Sequence, residues 1–151
     1  MRRIYSLVFA LLLLAVFAAV PVQASEISEE TTYFTDGSYV IITITEIPSR
    51  AAGTKTGAKS ARYYSNSNEL EYAVTVTGTF SYNGTSSQCT SADGTTSITN
   101  TNKISLASES FSKSGAVATY TVTINHKVLG IVIGKETHSI SLTCDKDGNL
   151  S

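Results

Sequence analysis

The 151-residue chain contains no tryptophan, one methionine, two prolines, two cysteines and two histidines, and only 15% of its residues are charged. Each scarcity removes something. His126 and His138 are all the imidazole available, so any triad or imidazole metal site must use one of them. After Ala24 lysines and arginines are scattered singly, and with no cluster to track a phosphate backbone, nucleic acid is not an expected partner. No Gly-x-Ser-x-Gly elbow occurs, so the strained nucleophile turn of many serine hydrolases is missing. After Ala24 no apolar run is long enough to span a bilayer, and no membrane association is expected of that part. Helical periodicity is equally scarce there.

What is present starts at the N-terminus. Met1-Arg2-Arg3 is a short basic start, residues 4–20 are apolar without a charge, and Pro21 breaks the run before a small-residue site ending at Ala24. This pattern predicts a secretory signal over residues 1–24, removed after Ala24, and a secreted, extracellular product. An uncleaved membrane anchor is the alternative. Cleavage leaves 127 residues (151 less 24), with 9 Lys+Arg (11 less Arg2 and Arg3) against 12 Asp+Glu, a net charge of −3. That is one domain, large enough to bury about two thirds of its unfolded surface. Neither cysteine follows the cleavage site, so a lipid-modified export signal is not expected. Nor do the residues after Cys144 offer room for a wall-sorting signal.

Apolar and polar residues alternate over long stretches, the period of a strand with one buried face. Leu70, Tyr72, Val74, Val76, Phe80 and Tyr82 form one row; Ala116, Ala118, Tyr120, Val122 and Ile124 a second; Ile140, Leu142 and Cys144 a third. Residues 39–47, rich in β-branched side chains, read as a more central strand. Residues 31–35, 58–65, 85–91 and 104–108 read as shorter strands. Asp36-Gly37, Asn66-Ser67-Asn68, Asn83-Gly84 and Ser114-Gly115 supply turn chemistry between them. Residues 48–57 and 92–103, rich in Gly, Ser, Thr and Asn, read as long surface loops. About eight mostly antiparallel strands predict a two-sheet β-sandwich of immunoglobulin-like build over residues 31–151, after a flexible lead at 25–30. A closed barrel is the alternative.

A two-residue turn at Asn83-Gly84 would pair Tyr82 with Thr85, Phe80 with Ser87 and Gly78 with Cys89. Cys89 would then lie on the core face, opposite the one position of its row without a side chain. Cys144 is on the apolar face of its own strand. Two inward cysteines in an exported chain predict a buried Cys89–Cys144 disulfide between strands.

The block Val74-Thr-Val-Thr-Gly-Thr-Phe-Ser-Tyr-Asn-Gly-Thr-Ser-Ser-Gln-Cys-Thr90 and the closing Ser141-Leu-Thr-Cys-Asp-Lys-Asp-Gly-Asn-Leu-Ser151 resemble a family of small secreted proteins from Clostridia-type gut bacteria, known only as a domain of unknown function. The resemblance covers roughly residues 58–151. It implies export, a β-rich fold and paired cysteines, and brings no catalytic or binding residues.

The candidate sites are few. If residues 129–131 form a three-residue turn, His138 pairs across from Val122, and His126 lies roughly 13 Å away at about 3.4 Å per residue, too far to share a metal ion. No metal and no cofactor are expected. Asp145-Lys146-Asp147-Gly148-Asn149 has the start of a calcium loop but not the closing Glu, so it reads as a polar turn. Tyr63 and Tyr64 are consecutive on a strand, so one faces in and one out, and the outer ring is a place for a ligand to stack. The expectation is a secreted, non-catalytic β-sandwich that contacts a protein or glycan at a cell surface. A hydrolase with its site in loops 48–57 and 92–103, or a bacteriocin-like toxin, are the other classes considered.

Overall fold

The computed structural model describes residues 24–49 and 52–151; the expected export segment, apart from Ala24, lies outside the described residues. Eight strands follow one another: β1 (Ser25–Tyr33), β2 (Tyr39–Ile47), β3 (Thr54–Tyr64), β4 (Leu70–Tyr82), β5 (Ser87–Ile98), β6 (Ile104–Ser114), β7 (Val117–Val128) and β8 (Ile131–Thr143). They build two antiparallel sheets, ordered β1-β2-β3-β4-β5 and β6-β7-β8. The all-β two-sheet sandwich expected from the alternation is therefore what forms. Its strand order is sequential in both sheets. An immunoglobulin-like build exchanges strands between sheets through Greek-key connections; here two successive meanders take its place.

The alternating rows explain the core. Tyr72, Val74, Val76 and Phe80 of β4 face Ala118, Tyr120, Val122 and Ile124 of β7 and Ile140 and Leu142 of β8, all buried, while Thr and Ser take the opposite faces. Each such aliphatic or Phe side chain contributes about 1.5–3 kcal/mol by leaving water. Strand β1 starts at Ser25, ahead of the expected residue 31, and every one of its residues is exposed. It is an edge strand, and Glu26, Glu29 and Glu30 place charge along it, which discourages pairing with another chain.

Both expected loops are shorter than the composition suggested, 92–103 being mostly strand and 48–57 giving its last four residues to β3. β3 begins at Thr54, and β5 runs on to Ile98, leaving residues 99–103 to join the sheets. The small residues that suggested mobility are there for close approach. A Cβ on Gly94 would lie 2.0 Å from Cδ2 of the buried Tyr120, and one on Gly57 would lie 2.3 Å from Cδ1 of Leu150.

The β4–β5 turn is also longer than expected. Asn83 Oδ1 accepts from the amides of Thr85 (3.0 Å) and Ser86 (2.9 Å), so residues 83–86 form the connection and Tyr82 pairs with Ser87. Cys89 therefore faces Phe80, and a bulge at Thr90 shifts the register so that Gly78 pairs with Ala92. The space beside Gly78 is filled by the Phe80 ring, 2.6 Å from where a Cβ would stand, rather than by sulfur. Cys89 and Cys144 are buried free thiols, which corrects the expected disulfide. Cys89 Sγ points at the Ser91 carbonyl (3.2 Å) and Cys144 Sγ at that of Asp145 (3.5 Å). Burial pushes both thiols up, which keeps them protonated and unreactive.

The C-terminal turn closes one end of the sandwich. Asp145 Oδ1 accepts from the amides of Asp147 and Asn149 (both 2.8 Å), and Oδ2 from Asn149 Nδ2 (2.8 Å), so its carboxylate is occupied by the turn itself. The chain then doubles back, Leu150 pairing with Cys144.

Candidate functional site: a tyrosine–histidine cleft

At the other end, the turns β1–β2 and β3–β4 meet β7 and β8 around a cleft of about 600 Å³. Both turns are held by their own side chains: Asp36 Oδ1 accepts from Ser38 N (3.0 Å) and Oγ (2.6 Å), and Ser65 Oγ from the amides of Ser67 (3.3 Å) and Glu69 (3.2 Å).

Strand register then aligns the tyrosines. Tyr33, Tyr39 and Tyr64 are direct cross-strand partners on β1, β2 and β3. Tyr39 and Tyr64 stack at 4.8 Å between centroids with planes 6° apart, and Tyr33 tilts onto Tyr39 at 5.4 Å. Tyr33 is 74% exposed at the sheet edge, so the outer end of this row is open. On the opposite face Tyr63 stacks on Tyr72 at 4.4 Å and packs against the core. The alternation expected of Tyr63 and Tyr64 is what occurs.

The inner pair meets the second sheet through His138. Tyr63 Oη lies 3.2 Å from His138 Nδ1, and Tyr72 Oη 2.8 Å from Nε2. Glu136 extends the chain, with Oε1 3.5 Å from His138 Nε2 and Oε2 3.2 Å from His126 Nε2. The Val122–His138 pairing follows the expected register, although by a different route. The turn has two residues, Leu129 and Gly130, and a bulge at Ile133 restores the count. The two histidines are thus linked by a carboxylate. Among the described residues no three or more His, Cys, Asp or Glu side chains are grouped to hold a metal ion.

Burial sets the electrostatics of the inner group. Burial pushes His138 below its ordinary value, opposed by Glu136, and pushes the Tyr63 and Tyr72 hydroxyls up. A neutral imidazole has one N–H and one lone pair, so one tyrosine donates to His138 and the other accepts from it. Both ring nitrogens are engaged, leaving His138 none with which to activate a hydroxyl. The cleft wall is formed by the rings of Phe34, Tyr39 and Tyr64, with Glu71, Lys103 and His126 among its polar side chains.

His138 also makes stability depend on pH. Its folded pKa is lowered from 6.5, so between the two values the unfolded chain binds more protons, and stability is lost as pH falls below about 6.5. Thermal melts between pH 7.5 and 5 should show the midpoint falling through this window. His138→Gln, which keeps a donor and an acceptor for the tyrosines, should flatten that portion of the curve; an unaltered profile would remove His138 as its source.

Tyr64 and Tyr63 were legible in the sequence as a pair with opposite directions. Tyr39, Tyr72 and Glu136 were not assigned to a site, because their roles depend on register between strands and on sheet-to-sheet packing. Comparison with family models, with curated proteins and with solved structures gives no match for this chain.

Proposed function

We propose that the chain is an exported, non-catalytic binding module whose site is the tyrosine cleft and whose ligand is a glycan at a host or bacterial cell surface. The observation that carries this reading is the row Tyr33–Tyr39–Tyr64, open at its outer end and running into a cleft with charged and hydroxyl groups. A pyranose ring has a C–H face suited to the negative face of an aromatic ring, and equatorial hydroxyls that need donors and acceptors at its rim. Rigid stacked rings lose little side-chain freedom on contact, and the cleft supplies both kinds of group. The N-terminal basic–apolar–small pattern supports export, with the mature chain starting at Ser25.

Glycan-array screening followed by titration of the strongest hit is the direct test. Tyr64→Ala should weaken binding about tenfold or more, the loss of roughly 1.4 kcal/mol of stacking, while leaving the fold intact by circular dichroism. Absence of any array signal, or affinity unchanged in Tyr64→Ala, would refute the glycan reading.

A further inference from the structure

The β7–β8 hairpin carries a feature that the cleft does not use. β6 begins at Ile104, opposite His126, and Lys127 is the last β7 residue tied back to the 99–103 connection, through Lys103 O (2.6 Å) and Thr101 O (2.7 Å). Beyond it, Val128–Leu129–Gly130–Ile131–Val132–Ile133 project as a two-stranded tip. Its five aliphatic side chains are exposed by 54, 97, 69, 47 and 67% in chain order. Two-residue hairpin turns with positive φ ordinarily take Asn, Asp or Gly. Here Leu129 holds φ 52° while almost wholly in solvent, a residue choice unfavourable for both backbone and side chain.

We propose that this tip inserts into the surface of a lipid bilayer bearing anionic headgroups. Two observations select that occupant. First, successive strand residues point to opposite faces, so Ile131 and Val132 make the tip apolar on both sides. A protein groove or a second sheet covers one face, whereas a fluid apolar phase surrounds a protruding tip. Second, the base of the tip carries Lys103, Lys127 and Lys135, although residues 25–151 as a whole have a net charge of −3. Lys103 and Lys127 share a groove of about 620 Å³ with Val128 and Leu129, which sets ammonium groups where lipid phosphates would lie. Glu136, the nearby carboxylate on β8, is bonded to His126. Three residues of strand reach about 10 Å, the depth at which interfacial elements sit without spanning. Among the described residues no helix is long and apolar enough to cross a membrane, and this mode of attachment requires none.

The chain has no tryptophan, so Leu129→Trp places a single indole at the tip. With vesicles of phosphatidylcholine containing 30% phosphatidylglycerol, its emission should shift to the blue, less so with phosphatidylcholine alone or at high salt. Thr85→Trp, in the β4–β5 turn at the far end, should not respond. Flotation of the chain from Ser25, the expected mature product, with the same vesicles should fall at least tenfold in a Leu129→Asp, Ile131→Asp double variant whose melting midpoint is kept. Starting at Ser25 keeps the apolar run at residues 4–20 from holding both chains on the vesicle. Flotation equal in the two chains, or an unmoved indole, would overturn the proposal. So would a dimer in light scattering that the double variant abolishes without vesicle binding, which would assign the tip to a second copy.

Discussion

Replacing Tyr120 with alanine is expected to remove about 3–5 kcal/mol of folding stability, as loss of a buried aromatic ring does elsewhere. For a domain held together by roughly 5–15 kcal/mol this is a large share. The ring is 1% exposed and lies over Gly94, with its hydroxyl 2.9 Å from Thr96 Oγ1 and donating to Glu109. Gly94 leaves β5 without a side chain directly beneath the ring, so the void has no immediate filler there. Tyr120→Phe keeps the ring and should cost only about 1 kcal/mol. Gly94→Ala should cost about 1–3 kcal/mol by pushing the ring from below. Urea unfolding followed by circular dichroism separates the three. Equal midpoints for the Ala and Phe variants would show that the ring is not a structural element.

Leu150→Ala is expected to cost about 2 kcal/mol or more, as truncation of a buried leucine does elsewhere. Leu150 is 9% exposed, and its side chain occupies the position a Cβ on Gly57 would take. Gly57→Ala should destabilise as well, and the pair should be less than additive, since alanine at 150 makes room for the new methyl. Relief will be partial: that methyl would still stand 2.9 Å from the Thr45 carbonyl oxygen. A strictly additive double-mutant cycle would break the proposed link between the two positions.

These two examples also mark where sequence reading succeeded and failed. The rows of β4, β7 and β8 were legible because each has one face in water and one in the core, and a period of two reports that directly. Gly57 and Gly94 read as loop residues because composition does not distinguish a glycine needed for a turn from one needed beneath a ring. The Cys89 pairing failed through local chemistry. The Asn83 carbonyl group captures two amides and lengthens the turn, and the bulge at Thr90 then moves the register beyond Cys89. In the cleft, the direction of Tyr63 and Tyr64 followed from alternation alone. The stack with Tyr39 and the Tyr–His–Glu chain needed the order of strands and the meeting of two sheets, neither of which is written locally.

The sequential strand order has a kinetic consequence. Every sheet pairing joins neighbours along the chain, so hairpins can zip from their turns with little loop-closure entropy. The Tyr63–His138 and Tyr72–His138 bonds span 75 and 66 residues. They can form only when the two meanders dock, which makes the tyrosine cleft a late product of folding and its assembly a marker that the process is complete.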